Sequence, residues 1–527
     1  MNPFSGRTIQ VVRDLSIDEQ LYLYNTAREI KSALRTRSDV DRFRINDPDV
    51  GVYLLFLEDS TRTKESFRNA GKFHAVRVND FSAQGSSIRK KESVTDTVKM
   101  LYGYNSRSIF ILRTPMEGVC RWLERDMQHY AEKHNLAPAS FINAGDGRHE
   151  HPTQEFLDEF SFLEQTGWDR SRIHVALVGD LFHGRTVHSK VDGLRVFEEV
   201  YVDLIAPDDL AMPAHYVEQM DHHGFHLRFF GSIKSYLEQD RIASSWYFTR
   251  LQLERMGDRL LEKSDSLRDA VTFRKEFVSR VPEGTRFFHP LPRHSATPTI
   301  PSFLDRTQLN GWDEQSMNGY FTRIAQIGLL AGHLGDDFRG EAQTWPEVPD
   351  DFVEQVPARP KSKPDYKIGI KPVESGIVID HIGRGKDVEA IWNHITKIRS
   401  ILRLNVISSH GVFPSARDDR SYKGLISIPN IEPFDERIIK MLGAIAPGCT
   451  VNVISNGAVQ QKYRLRMPRR VYDFDQISCS NESCVSHQDN HENAIPEFRR
   501  RSDTTFVCLY CERPHDFQEI WRTDEPG

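Results

Sequence analysis

Ser60, Thr61, Arg62 and Thr63 set three hydroxyls and one guanidinium side by side. They follow the apolar run Val52 to Phe56 and precede a segment with helical patterning. The cluster therefore falls where a strand turns into a helix. The first turn of a helix exposes unbonded backbone N–H groups and the positive end of its dipole. With hydroxyls and an arginine fork added, such a turn suits a phosphate dianion. Serine and threonine are also ordinary helix caps, so on this stretch alone capping and anion binding stand side by side.

Other loops raise the weight of the second reading. "SSIRKKES", 86 to 93, is a polar, basic loop able to close over an anion. "ILRTPMEG" puts Arg113 at the C-terminal end of a strand, where α/β sheets bind ligands. "NAGDGRHEHPTQ", 143 to 154, brings His151 and Gln154 to another such end, and "GDLFHGRTVHS" brings Arg185 to a third. Singly, each reads as a solvated charge or a satisfied histidine. Surface decoration does not explain four polar loops at successive strand ends.

A different chemistry sits near the C-terminus. Cys479-x4-Cys484 and Cys508-x2-Cys511, 23 residues apart, are two thiolate pairs of the kind that close a tetrahedral structural zinc site, one Zn2+ per chain. The bland alternative is four unrelated buried cysteines. His487 reads as a surface residue, not a fifth ligand.

The elements that must position these groups follow from patterning. "SIDEQLYLYNTAREIKSAL" has helical spacing after a capping Ser16. "GVYLLFL", "SRSIFILR", "IHVALVGD", "EVYVDLIAP", "ASSWYFTR" and "TRFFHPL" read as strands alternating with helices. That alternation predicts parallel sheets, hence two tandem α/β domains, 1–152 and 153–315. A helix at about 316–340 closes the first. Five prolines between Trp345 and Lys367 mark a linker, 341–366. Beyond it "SGIVIDHI", "LNVISS", "GLISI", "TVNVIS" and the helical "DVEAIWNHITKIRSIL" predict a small α+β domain, 367–472. A loop-rich β zinc domain, 473–527, ends the chain.

At 527 residues the chain is too long for one domain. Charged residues make up 27% and hydrophobic ones 39%, ordinary for a soluble globular protein. A net charge of -6 argues against nucleic-acid binding, which needs a basic surface. No apolar run reaches membrane-spanning length and no signal-peptide core opens the sequence, so cytoplasm is the expected compartment.

In this order, "STRTKESF", "LRTPMEG", "NAGDGRHEHPTQ", "GDLFHGRTVHS", "TRLQLER" and "HPLPR" resemble the signature set of aspartate carbamoyltransferase catalytic chains, over about residues 5 to 340. The resemblance implies a carbamoyl-phosphate domain, an L-aspartate domain and a trimer with active sites between neighbouring chains. It further implies that Ser60, Thr61, Arg62 and Thr63 hold the phosphate. Thr63, Arg113 and His151 would hold the carbamoyl oxygen, and Gln154 the carbamoyl amine, with Leu291 and Pro292 positioning the group through backbone carbonyls. Arg185, Arg250 and Gln252 would grip the aspartate carboxylates. Ser87 and Lys90 would reach in from the adjacent chain, Lys90 touching both substrates. Lys91 stands where a glycine is common, so Lys90 and Lys91 are alternatives for the loop lysine. After "HPLPR", residues His294 to Gln315 leave the family's acidic continuation.

The chemistry needs no metal and no covalent nucleophile. It needs two anionic substrates brought together, with an oxyanion and a leaving group stabilised. A neutral His151 would donate to the carbonyl oxygen. Two rivals are an ornithine carbamoyltransferase, which typically carries "HCLP" where this chain has "HPLP", and a catalytically silent metabolite-binding scaffold. The intact set Arg62, Arg113, His151, Arg185 and Arg250 opposes the scaffold.

"GIVIDHI", "TVNVISN" and "CSNESCVSH" with "CLYCE" are similar to the regulatory chain of the same enzyme, over about 370 to 515. The chain thus looks like a fusion, with ATP or CTP as implied effectors. Asp380, Lys423, Asn452 and Lys462 match the nucleotide-binding positions. A second lysine is replaced by Ser427, and an aromatic expected near Gly457 is missing.

Overall fold

The computed structural model describes residues 2–82, 92–252, 263–345, 353–358, 373–383, 385–404, 408–415 and 418–522. The chain divides into two compact units, Met1–Thr344 and Trp345–Gly527.

In the first unit, α1 (Ile17–Thr36) starts at Ser16. The Ser16 hydroxyl accepts from the Glu19 N–H, and the Glu19 carboxylate accepts from the Ser16 N–H. A cap of this kind is worth about 1 kcal/mol. Four parallel strands follow, β1 (Val50–Phe56), β2 (Arg77–Ser82), β3 (Arg107–Thr114) and β4 (Ser140–Asp146), in the order β2-β1-β3-β4. Helices α2 (Thr61–Phe73), α3 (Val94–Tyr102) and α4 (Val119–His134) lie in the connections. β1 and β4 are buried along their whole length, as strands covered on both faces must be.

Helix α5 (Pro152–Gln165) leads to a second parallel sheet: β5 (Arg172–Val178), β6 (Glu199–Ile205), β7 (His226–Phe230), β8 (Ser245–Phe248) and β9 (Arg286–Phe288), in the order β7-β6-β5-β8-β9. Its connections carry α6 (Arg185–His188), α7 (Lys190–Gly193), α8 (Ala214–His222), α9 (Ile233–Tyr236) and α10 (Ser264–Val271).

Each sheet reverses its strand order once, between β1 and β3 and between β5 and β8. Such a reversal opens a crevice at the C-terminal strand ends, where α/β sheets bind ligands. The first crevice receives Ser60 to Thr63 and Arg113. The second receives Arg185 and Arg250.

The closing helix α11 spans Trp312–Leu330, not 316–340. It stops because Gly332 adopts a φ of +71° and packs so tightly that a side-chain carbon there would lie 2.7 Å from Arg107. Lys31 ties α11 to α1 and α5, its Nζ lying 2.6 Å from Glu164 and 2.7 Å from Asn318.

The second unit begins with a six-stranded antiparallel sheet of β10 (Val353–Gln355), β11 (Gly376–Ile382), β12 (Ser409–Ser415), β13 (Asp418–Pro429), β14 (Thr450–Ser455) and β15 (Ala458–Leu465). The stretch expected to be linker throughout, 341–366, therefore contributes β10, which pairs with β15. In "LNVISS" only Ser409 belongs to a described strand, since 405–407 lie outside the described residues. Helices α12 (Val388–Ile401) and α13 (Glu436–Ile445) bury Ile391, Ile395 and Leu442, and β11 and β13 bury Ile377, Ile379, Ile426 and Ile428. A four-stranded antiparallel sheet, β16 (Arg470–Tyr472), β17 (Glu497–Arg500), β18 (Thr505–Cys508) and β19 (Pro514–Asp516), completes the unit.

Candidate active site and metal centre

Ser60 is the N-cap residue of α2, yet its side chain makes no capping hydrogen bond. The capping reading of the cluster therefore fails at its first residue. Thr61 and Arg62 are exposed and Thr63 is buried, so the helix offers donors at its mouth and one at its floor.

Arg113 is fixed by the sheet. It lies opposite Phe56 in the β1·β3 register, and its carbonyl accepts from the Leu57 N–H at 2.8 Å. Its Nη1 donates to the Ala144 carbonyl at 3.2 Å, and its Nη2 lies 3.2 Å from Glu58 Oε2. The same carboxylate oxygen is 3.2 Å from Arg185 Nη2, and Arg185 Nη1 donates to the Gly147 carbonyl at 2.9 Å. Two guanidiniums thus share one carboxylate, leaving the site positively charged and ready for an anion. Gly145, at φ +110°, permits the pairing: a side-chain carbon there would lie 3.0 Å from Arg113 Nη1 and 3.1 Å from Arg185 Cζ. Glu58 was not among the candidates read from sequence, although it adjoins the hydroxyl cluster.

His151 is the N-cap residue of α5 and is buried. Burial, then the charges of Arg113, Arg185 and Arg323, push its pKa well below the ordinary histidine value. That direction favours the neutral imidazole. The Thr153 hydroxyl lies 3.3 Å from its Nδ1, which fits Nδ1 as acceptor and Nε2 as the N–H. Gln154, one helical step on, donates from Nε2 to Asp158 at 2.8 Å, turning its Oε1 the other way.

On the second crevice, Gln252 is pinned by two bonds, its N–H to Asp180 at 3.2 Å and its Nε2 to the His183 carbonyl at 2.9 Å. His289 opens the "HPLPR" turn, and its Nδ1 accepts from the Leu291 N–H at 2.8 Å. Burial, then Arg293, Arg62 and Arg250, hold its pKa down at about 3. Arg62 from one crevice and Arg250 from the other are both felt at this one ring. Leu291 has a φ of +49°, a left-handed geometry costing a branched residue about 1–3 kcal/mol and typical of ligand clamps. Arg293 pairs with Asp305 at 2.5 Å, anchoring the segment that leaves the family pattern. Ser87, Lys90 and Lys91 lie outside the described residues.

The four C-terminal cysteines are buried, unbridged, and bring their sulfurs within 4.8 Å of one another. A tetrahedron of zinc–sulfur bonds of about 2.3 Å has edges of about 3.8 Å. Cys479 and Cys511 are 3.6 Å apart and Cys484 and Cys508 3.8 Å, so the donor set fits zinc. His515 Nε2 stands 3.4 Å from Cys479 Sγ and Ser486 Oγ 3.3 Å from Cys484 Sγ, donors of the kind that orient and quiet thiolates. His515, four residues past Cys511, escaped the sequence reading. His487 pairs with Asp489 and is not part of the cluster.

In the six-stranded sheet, Asp380, Lys423, Asn452 and Lys462 fall on one face, opposite the buried isoleucines. Lys423 Nζ is 2.6 Å from Asp380 Oδ1, and Asn452 Nδ2 donates to the Val378 carbonyl at 3.2 Å. Ser427 is buried on that same face.

Residues 7–164 match the carbamoyl-phosphate-binding domain of aspartate/ornithine carbamoyltransferases. Residues 368–466 match the allosteric domain, and 469–521 the metal-binding domain, of the aspartate carbamoyltransferase regulatory chain. Protein PyrBI of Thermotoga maritima is 52% identical over 526 residues, covering 98% of this chain and 99% of that protein. Protein PyrBI of Treponema denticola is 48% identical over 529 residues, covering 99% of each. The aspartate transcarbamoylase of Trypanosoma cruzi, solved with carbamoyl phosphate and aspartate, superposes with a TM-score of 0.52 at 27% identity, over 62% of this chain and 96% of its own. Among the described residues no helix is long and apolar enough to cross a membrane. Matched along its whole length by proteins sharing half its residues, with catalytic and regulatory signatures in tandem, the chain belongs to the PyrBI family of fused aspartate carbamoyltransferases.

Proposed function

We propose that the chain carbamoylates the α-amine of L-aspartate with carbamoyl phosphate, giving N-carbamoyl-L-aspartate and phosphate for pyrimidine synthesis in the cytoplasm. The observation that carries this reading is the meeting of Arg113 and Arg185 on Glu58, which joins the crevices of the two sheets. A related enzyme holds both of these substrates together.

Ser60, Thr61, Arg62 and Thr63 take the phosphate, with the N-terminus of α2 behind them. Thr63, Arg113 and the neutral His151 donate to the carbamoyl oxygen. Gln154 and the carbonyls of Leu291 and Pro292 accept from the carbamoyl amine. Arg185, Arg250 and Gln252 hold the aspartate carboxylates, the arginine forks suiting their geometry. The amine lone pair attacks the carbamoyl carbon and a C–N bond forms while charge collects on the oxygen. The C–O bond to phosphate then breaks with its electron pair, and the amine proton passes to the departing phosphate. Donors aimed at that oxygen are each worth about 10²–10³ in rate.

Ser87 and Lys90 complete the site from a neighbouring subunit of a trimeric core. On this reading 1–152 form the carbamoyl-phosphate domain and 153–315 the aspartate domain. The face bearing Asp380, Lys423, Asn452 and Lys462 takes a nucleotide such as ATP or CTP.

Carbamoyl transfer assayed with aspartate and with ornithine in parallel tests the reaction; turnover with ornithine alone would overturn it. Velocity against aspartate, with and without CTP or ATP, tests the nucleotide face. Superimposable hyperbolic curves would leave that face without a regulatory role.

A further inference from the structure

Asp158, on α5, is fully buried and accepts hydrogen bonds from three segments. Its Oδ1 accepts from Gln154 Nε2 at 2.8 Å and from Gln315 Nε2 at 2.6 Å, and its Oδ2 from Lys190 Nζ at 2.9 Å. Gln315, near the start of α11, accepts in turn from the His289 N–H at 2.8 Å. His289 Nδ1 accepts from the Leu291 N–H at 2.8 Å. One carboxylate is therefore bonded, directly or through Gln315 and His289, to both groups assigned above to the carbamoyl amine.

A glutamine amide has two ends of nearly equal shape and opposite chemistry, and its neighbours decide which end faces where. A carboxylate only accepts, so Asp158 takes the NH2 ends of both Gln154 and Gln315. Gln154 Oε1 then faces the substrate as an acceptor. Gln315 Oε1 faces the His289 N–H, which fixes the turn carrying the Leu291 and Pro292 carbonyls. A flipped Gln154 would oppose its own NH2 to that of the carbamoyl group. Lys190 is buried with Asp158 and also lies 2.5 Å from Glu155, so its ammonium partners the carboxylate in a site closed to water.

We propose that Asp158, paired with Lys190, is a positioning residue that sets the preference of the site for a carbamoyl amine over a methyl group. The inference rests on the assignment of Gln154, Leu291 and Pro292 to that amine. A site built to hydrogen-bond an N–H rejects the analogue that lacks it, because its acceptors are left buried and unpaired.

Acetyl phosphate, which carries a methyl where carbamoyl phosphate has its amine, is the probe. In the full-length protein, kcat/KM for carbamoyl phosphate and the competitive Ki of acetyl phosphate are measured for wild type, Gln154→Met, Asp158→Asn and Gln315→Met. Asp158→Asn and Gln315→Met are expected to lower kcat/KM for carbamoyl phosphate roughly tenfold while Ki for acetyl phosphate stays within about twofold. Parallel losses in both constants, or a change in neither, would overturn the proposal. Gln154→Met separates the two levels: an unchanged ratio there removes Gln154 from the amine site. A ratio that falls in Gln154→Met but not in the other two removes only the positioning role. If Asp158→Asn fails to fold, Gln315→Met decides alone, since it cuts the link to the turn and leaves the Asp158–Lys190 pair in place.

Discussion

Glu58 Oε2 lies 3.2 Å from Nη2 and 3.3 Å from Nη1 of Arg185, so a carboxylate from the first crevice orients the arginine of the second. Charge-assisted bonds of this kind contribute about 1.5–3 kcal/mol. Glu58→Gln is expected to lower kcat/KM for aspartate at least roughly tenfold, and to weaken the use of carbamoyl phosphate as well through Arg113, which the same oxygen holds. Steady-state kinetics with each substrate varied in turn provides the check, and an unchanged aspartate constant would show that Arg185 keeps its pose without Glu58.

The main chain of Arg113 is fixed by sheet register, independently of the bonds its guanidinium makes to Ala144 and Glu58. Arg113→Ala should therefore leave the fold intact while turnover drops by about 10³ or more. Circular dichroism and turnover measured on one preparation test both halves. A near-normal rate would remove Arg113 from the site.

The sulfur tetrahedron predicts one zinc per chain by elemental analysis, lost in Cys484→Ser. His515→Ala should retain the metal but bind it about 10–100-fold more weakly, read by competition with a chelator. Equal affinity in the variant would reduce the His515 contact to packing.

Four buried histidines, His74, His151, His188 and His289, make the first unit acid-sensitive. Burial holds His74 and His188 down at about 4, and burial with nearby arginines holds His289 at about 3. Free histidine titrates near 6.5. Because the folded values are depressed, the unfolded chain takes up protons first as pH falls. Stability is thus full above pH ~6.5 and declines toward the folded values, by about 1.4 kcal/mol per residue per pH unit. The urea midpoint should fall between pH 7 and pH 5, and fall less in His74→Gln. Matching midpoints at the two pH values would contradict this.

The strands legible in the sequence are those with a long buried apolar run; β4 ("SFINAGD"), buried throughout but broken by polar residues and glycine, is not among those named. β1, the centre of β3 and most of β5 are apolar, and the polar loops at their ends stand out against them. β2 ("RVNDFS") and β7 ("HLRFF") went unread because they are edge strands, half solvated and of mixed composition. The pattern places the start of the closing helix four residues late, since Trp312 to Gln315 mix apolar and polar residues without a clear period. Glu58 was invisible as a site residue because its role depends on Arg185, 127 positions away. The zinc ligands announced themselves by spacing, whereas the hydrogen-bonding neighbour His515 carries no spacing rule at all.

Gly145 has no side chain to offer a substrate, yet its backbone and the space above it constrain what can stand there. Its φ of +110° excludes nearly every other residue, and the first carbon of any side chain would wedge between Arg113 and Arg185. Even alanine is expected to strain the backbone by about 1–3 kcal/mol and to push the two guanidiniums out of their pose. In a saturation library selected for growth without pyrimidines, position 145 should come back as glycine alone, a fixed site in the sequence whose importance is entirely the space it leaves empty.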